Sequence, residues 1–233
     1  MNKGIKHIGI ILDGNRRWAR QRGLNPWKGH DAGFDKLKQL FKWCKELNIK
    51  EISLYCFSIQ NYNRNPLEVK FLMDMFEKAA KDILTDKDVH ENKIKIRILG
   101  RIELLPERVR TALEKAIEAT KEHDDYIVNL CLSYGGREEI VDGVKKIAKD
   151  VKDGKVNIDE IDEDKFSRYL YMQNDPEIII RTSGEKRTSN FLMWHSAYSE
   201  WFFLDKYWPD FEKEDLEAVI NEYKEKRQRR FGK

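Results

Sequence analysis

Ile5-Lys6-His7-Ile8-Gly9-Ile10-Ile11-Leu12-Asp13-Gly14-Asn15-Arg16-Arg17-Trp18 is the stretch that decides the architecture of this chain. The run from Ile5 to Leu12 is short, apolar and rich in isoleucine, and it reads as a buried strand. It stops on a carboxylate and a glycine, and two arginines follow at once.

Similar runs recur at Ile52 to Phe57, Ile94 to Leu99, Ile127 to Leu132 and Ile178 to Ile180. Segments of helical period lie between them. Phe34, Leu37, Leu40, Phe41, Cys44 and Leu47 form one helix face. Leu67 to Leu84 forms a second helix, opened by Pro66 at a favoured first position and unusually apolar. Val109 to Thr120, after Pro106, marks a third; Ile140 to Val151 a fourth; Leu216 to Tyr223 a last one. No repeat, low-complexity tract or Gly/Ser linker interrupts the chain, so residues 1–233 read as a single domain. The alternation predicts an α/β fold with a mainly parallel central sheet of about six strands and helices on both faces.

In open sheets of this kind, ligands bind beyond the carboxyl ends of the strands. Those ends are polar here. Asp13-Gly14-Asn15-Arg16-Arg17-Trp18 follows the first strand, Ser58-Ile59-Gln60-Asn61-Tyr62-Asn63-Arg64 the second and Gly100-Arg101 the third. Tyr134-Gly135-Gly136-Arg137 follows the fourth, and Arg181-Thr182-Ser183-Gly184-Glu185-Lys186-Arg187 the fifth. Each loop bears arginine. Glycine lets backbone N–H groups approach an anion, and an arginine fork binds phosphate oxygens in pairs. The expected ligand is a polyanion with more than one phosphate. Neither G-x-x-x-x-G-K-[ST] nor G-x-G-x-x-G is present, which disfavours the common nucleotide sites.

Charged residues make up 36% of the chain, yet the net charge is only +3. That balance, with no RNA-binding motif, argues against a nucleic-acid module. Cys44, Cys56 and Cys131 stand alone in apolar segments without metal-type spacing, as reduced core thiols of a cytoplasmic protein do. Asp13 cuts the first apolar run short, so the N-terminus is no signal peptide. No apolar run reaches the length of about 18 residues that a membrane helix needs.

These motifs have a family likeness. His7 to Ala19 followed by Gly29-His30-Asp31-Ala32-Gly33 resembles the opening signature of the cis-prenyltransferases, whose best-known members are undecaprenyl diphosphate synthases. Arg181 to Glu185, Arg187-Thr188-Ser189-Asn190-Phe191-Leu192, Ala197 to Glu200 and Trp208-Pro209-Asp210-Phe211 resemble the second signature. Phe57-Ser58 with Asn61, Asn63 and Arg64 is similar to the family's middle loop, and Arg230-Phe231-Gly232 to its C-terminal R-x-G. The resemblance spans the chain. It implies an enzyme that adds isopentenyl diphosphate units to an allylic primer, farnesyl or geranylgeranyl diphosphate. The product implied is a long polyprenyl diphosphate, precursor of a glycosyl carrier lipid.

Residue by residue, the resemblance implies the following roles. Asp13 holds Mg2+, although the residues alone leave open that it caps the helix beginning near Asn15. Gly14, Asn15, Arg16 and Arg17 cradle the primer diphosphate, with Trp18 near its hydrocarbon. His30 holds phosphate or relays a proton, Arg64 binds primer phosphate, and Ser58, Ile59, Gln60 and Tyr62 belong to the substrate loop. Asn61 is catalytic. An amide has no useful basicity near neutral pH, so Asn61 positions the homoallylic substrate while a released diphosphate oxygen or a relayed group takes the proton. Arg181, Arg187, Thr188 and Ser189 form the isopentenyl diphosphate site, Glu200 is a second contributor to Mg2+, and Arg230 and Gly232 reach a diphosphate across a homodimer interface. Membrane contact is peripheral at most, for product release.

Some positions depart from the pattern. Pro26 stands where many members carry arginine, leaving one phosphate contact missing or supplied by Lys28. Ile59-Gln60 replaces a Ser-Glu pair, and Tyr62 a tryptophan. The D-D-x-x-D motif of trans-prenyltransferases is absent. A non-catalytic partner subunit of the same fold is the alternative reading, and the joint retention of Asp13, Asn61, Arg181, Arg187, Glu200 and the R-x-G argues against it.

Overall fold

Isoleucines at successive positions demand apolar cover on both sides. In β1 (His7–Ile11) all 5 residues are buried. The computed structural model describes residues 4–230, with side chains as far as Lys226. β1 lies between β2 (Glu51–Ser58) and β5 (Ile178–Arg181). Beyond β2 come β4 (Tyr126–Tyr134) and β3 (Ile94–Leu99), and beyond β5 comes β6 (Glu200–Phe203). The sheet has 6 strands in the order β3-β4-β2-β1-β5-β6. Every pairing is parallel. The expected fold class is therefore the observed one. β6 is the strand that the sequence reading did not single out, because four residues opening on a glutamate give little periodicity to detect.

Parity along β1 assigns the two faces. Ile8 and Ile10 join Leu40, Trp43, Trp208 and Leu216, so α2 (Pro26–Glu46) and α8 (Lys213–Arg230) cover one face. Farther along that face, α3 (Pro66–Ile83) and α5 (Glu107–Thr120) bury Leu72, Met73, Val109 and Leu113 against Phe57 and Leu132. Ile11, Cys131 and Ile179 face the other way and pack on Met172, Phe191 and Leu192. α6 (Gly136–Lys152) joins this second layer: its Glu139 bonds His195, and its Gly143 lies against Leu170. The short helices α4 (Lys87–Glu91) and α7 (Glu163–Ser167) complete the connections. The cysteines are free and at least partly buried, as expected. No described helix is long and apolar enough to cross a membrane.

One junction places the site. α1 (Asn15–Gln21) starts directly after β1, with Gly14 at φ 108° as its N-cap. A Cβ on Gly14 would stand 2.6 Å from the Tyr207 ring. α1 lies across α2 at Gly29 and Gly33. A Cβ at Gly29 would fall 1.9 Å from the Asn15 carbonyl oxygen, and one at Gly33 2.5 Å from Asn15 Oδ1. The glycine pair of Gly29-His30-Asp31-Ala32-Gly33 thus lets α2 approach the backbone of α1 and delivers His30 beneath it.

Candidate active site

A cavity of about 870 Å3 opens at the carboxyl ends of three adjacent strands, β2, β1 and β5. Asp13, Gly14, Asn15, Arg16, Arg17 and Arg20 line it from the loop after β1 and from α1; Ser58, Gln60, Asn61 and Arg64 line it from the loop after β2. Arg181, Arg187 and Ser189 line it from the loop after β5. Below this polar mouth the walls turn apolar, with Leu37 of α2, Met75, Phe76, Ala79 and Ile83 of α3, and Leu130 and Leu132 of β4. The apolar excess of the 67–84 segment is spent on the cavity wall as well as on the core.

The two remaining arginine loops do other work. Arg101 makes a two-pronged bond with Asp142, at 2.9 Å on each side, and so braces α6. Gly135 and Gly136 admit the 188–193 segment rather than an anion. The Gly136 N–H donates to the Asn190 carbonyl at 2.7 Å, and a Cβ there would meet the Met193 backbone nitrogen at 2.8 Å. The expectation of five phosphate-binding loops is corrected to three, because Arg101 is engaged by Asp142 and the loop after β4 is filled by the 188–193 segment.

Asp13 is the hub of the mouth. Thr182 Oγ1 accepts from the Asp13 N–H at 3.1 Å and donates to its carbonyl at 2.6 Å, clasping the ends of β1 and β5 together. The Asp13 carboxylate then accepts from Arg181 Nη2 at 2.8 Å and from Arg17 Nη2 at 3.3 Å. Burial pushes its pKa up, but hydrogen bonds from Arg181 and Ser183 and the charges of Arg181 and Arg17 outweigh that, holding it below the ordinary range. Asp13 makes no cap to α1, so the capping reading falls. Arg181 is 3% exposed; its Nη1 donates to Ser189 Oγ at 2.6 Å, while its Nε is buried without a partner. The Nε of Arg16 and the Oδ1 of Asn15 are likewise buried and unpartnered. The two guanidinium N–H groups are donors that an anion can satisfy, whereas Asn15 Oδ1 is an acceptor that lies against Gly33.

The loop after β2 explains Asn61. Its Oδ1 accepts from the Ser58 N–H at 3.1 Å, so the carboxamide oxygen is spent on the turn and the NH2 group is left to donate. That geometry suits a positioning role. Tyr62 is not in the lining: its hydroxyl bonds Ser133 Oγ at 2.7 Å and donates to the Leu104 carbonyl, tying the turn to the end of β4. Ile59, Trp18 and Thr188 also stand outside the lining. Trp18 Nε1 donates to Asp210 at 2.6 Å and the ring lies under Arg22, whereas Thr188 contacts Met193. Arg187 meets the mouth at its edge, 60% exposed, paired with Glu185. Lys28 does not supply the contact that Pro26 lacks. It pairs with Asp31 at 3.3 Å, and Arg20 is the extra cation that reaches the cavity.

Glu200 lies elsewhere. It opens β6 opposite Ile178, which is opposite Ile8, and Asp13 comes five positions after Ile8. In this parallel sheet Glu200 therefore stands at the amino end of β6, level with Ile8, whereas Asp13 lies past the carboxyl end of β1. One chain does not bring them to one ion. Among the described residues no group of three or more His, Cys, Asp or Glu could hold a metal. The donor set available is Asp13 with substrate oxygens and water, a combination that fits Mg2+ in phosphate sites. The side chain of Arg230, and Gly232, lie outside the described residues.

Sequence reasoning missed Glu68. Its carboxylate, 3% exposed, accepts from His30 Nε2 at 3.2 Å and Arg64 Nη1 at 3.1 Å and pairs with Arg16 Nη1 at 3.5 Å. Burial holds His30 below its ordinary pKa, with Glu68 opposing only in part. The ring is therefore neutral near pH 7, with its proton on Nε2 toward Glu68.

An open parallel sheet with a cationic mouth over an apolar chamber defines a binder of amphiphilic phosphates: an anionic head and a hydrocarbon tail. The comparisons make this specific. Residues 11–232 match the family model described as putative undecaprenyl diphosphate synthase, and the chain belongs to that family. It is 50% identical to a tritrans,polycis-undecaprenyl-diphosphate synthase (geranylgeranyl-diphosphate specific) of Methanopyrus kandleri, over 98% of this chain and 84% of the relative. It is 51% identical to the Pyrococcus horikoshii protein of the same name, over 98% and 87%. The crystal structure of lavandulyl diphosphate synthase from Lavandula x intermedia, in complex with dimethylallyl diphosphate, superposes with a TM-score of 0.88 at 33% identity, covering 94% of this chain and 95% of that one. The protein is a cis-prenyltransferase, an enzyme of isoprenoid biosynthesis.

Proposed function

We propose that the protein condenses isopentenyl diphosphate with an allylic diphosphate primer, repeatedly, to give a long polyprenyl diphosphate that serves as precursor of a glycosyl carrier lipid. The observation that supports this reading best is the cavity itself, arginines at its mouth and a hydrocarbon-lined chamber of about 870 Å3 beneath. Geranylgeranyl diphosphate is the favoured primer, since the archaeal relatives are named for it. Farnesyl diphosphate is the competitor.

In this reading Arg16, Arg17 and Arg64 bind the primer diphosphate and Arg181, Arg187 and Ser189 the isopentenyl diphosphate. Charge builds on the departing primer diphosphate as its allylic C–O bond breaks, and the fixed guanidinium groups stabilise it without reorganising. Mg2+, held by Asp13 and diphosphate oxygens, would supply further neutralisation of that charge. The isopentenyl double bond attacks the allylic carbon, and a proton leaves C2 of the new unit for an oxygen of the released diphosphate, with Asn61 donating its amide hydrogens to hold the geometry. The growing tail descends between α2 and α3. The protein acts as one domain over residues 1–233, in the cytoplasm, as a homodimer, with membrane contact only for product release. Glu200 is on the edge strand β6, from which it could serve a second copy's ion but not its own.

The test is incubation of purified protein with Mg2+, labelled isopentenyl diphosphate and each primer in turn. Long products, formed faster from geranylgeranyl diphosphate, are expected. A chain that incorporates no label from any primer is a partner subunit or another kind of protein, and the reading fails.

A further inference from the structure

Glu68 sits in the first turn of α3 and does not itself line the cavity, yet the side chains it holds all do. Arg16 arrives from α1, His30 from α2 and Arg64 from the turn after β2. Three separate elements meet on one buried carboxylate, at 3.5, 3.2 and 3.1 Å. Arg64 and Glu68 are also spaced i, i+4, which accounts for one contact but not for the other two.

A purely architectural pair would use up its donors. Here Arg16 is held through Nη1 while its Nε remains buried and without a partner. The same division occurs across the mouth, where Asp13 and Ser189 hold the Nη atoms of Arg181 and leave its Nε unpartnered. In both places an acid anchors one edge of a guanidinium and leaves another N–H unused. Glu68 also settles the histidine, because a carboxylate that only accepts requires the proton on Nε2 and leaves Nδ1 as the acceptor.

We propose that Glu68 is the positioning residue of the allylic-diphosphate site. It fixes the direction of Arg16 and Arg64, the donors to the diphosphate, and pins the His30 ring beside them before the primer arrives, and it never touches the primer. The inference rests on the function proposed above. Charge and orientation act in opposite senses here, and that makes the idea testable. As mere negative charge, Glu68 repels a diphosphate, and its isosteric neutral replacement would tighten primer binding. As the anchor of three side chains, its replacement loosens primer binding, since small misplacements of binding groups cost large factors.

The experiment is steady-state kinetics of Glu68→Gln, Arg64→Ala and the double variant, with KM measured separately for geranylgeranyl diphosphate and isopentenyl diphosphate. Expected is a rise of about tenfold or more in primer KM for Glu68→Gln, with the isopentenyl diphosphate KM within about twofold of wild type. The double variant should be little worse than the worse single one, because Glu68 acts partly through Arg64. Glu68→Asp keeps a carboxylate but withdraws it from its partners, so it stands in if the Gln chain does not fold, with the same direction expected. A primer KM that is unchanged or lowered, equal rises in both KM values, or fully multiplicative effects in the double variant overturn the inference alone. A wild-type protein inert with every primer overturns the proposed function and this inference with it.

Discussion

The two sides of the cavity mouth are built of different material. On one side Asp13, Thr182 and Arg181 stand on the ends of adjacent parallel strands, their spacing set by the β1–β5 ladder and the Thr182 clasp. On the other side Arg16, His30 and Arg64 come from α1, α2 and a turn, with no ladder in common, and a buried carboxylate gathers them. A strand end inherits its precision from the sheet. A helix-borne cluster must be assembled, here by glycine contacts and by Glu68. Damage to the first side should therefore act locally through charge, and damage to the second should spread through helix placement.

The largest expected effect is at Asp13. Asp13→Asn keeps the shape of the hub but removes its charge, and turnover should fall by about 10³-fold or more, with circular dichroism unchanged and melting lowered by the lost charge pairing with Arg181. Near-normal Mg2+-dependent turnover in that variant would detach the metal from the strand-end side. Next comes Gly29→Ala. With its Cβ only 1.9 Å from the Asn15 carbonyl, α1 and α2 must move apart. A loss of about 1–3 kcal/mol in denaturant unfolding is expected, as for other overpacked contacts. Primer KM should rise while isopentenyl diphosphate KM holds. Equal changes in both would show that the two sides move as one.

A bulky residue deeper down sharpens the picture below both sides. Ala79→Phe should narrow the α3 wall and shorten the product, while the first condensations proceed, as read by chain-length analysis. The smallest effect concerns His195, behind the strand-end side. Burial lowers its pKa, but hydrogen bonds and charges of Glu139 and Asp175 prevail and raise it above the ordinary value. A raised folded pKa contributes stability that is complete below the unfolded value, about 6.5, and is lost as pH climbs through the folded one. His195→Gln should flatten that alkaline loss in a melting-temperature profile. An unaltered profile would remove the buried imidazolium from the account.

What could be read before the structure follows the same division. β1, β2 and β5 and their loops were legible because strand, carboxylate and arginine are contiguous in sequence, as in Ile11-Leu12-Asp13 and Ile180-Arg181. β6 was not, since Glu200 to Phe203 is too short for a period. Arg101 and Gly135-Gly136 misled because an arginine that braces a helix and glycines that admit a backbone look, in one dimension, like a phosphate loop. Glu68 was hidden by its position. Three residues after Asn65 and just past Pro66, it reads as an ordinary first-turn glutamate, and only the fold brings His30 and Arg16 to it. Arg20 was passed over because its reach into the cavity depends on how α1 lies across α2.

The central claim is that the strand-end side takes isopentenyl diphosphate and the helix-borne side takes the primer. Calorimetric titration of Arg181→Ala and Arg64→Ala with isopentenyl diphosphate, and with an unreactive thiolo analogue of the primer, tests it most directly. The account predicts crossed losses, with each variant weakened by about tenfold or more for its own ligand and by less than about twofold for the other. Both variants losing both ligands to the same extent would contradict it.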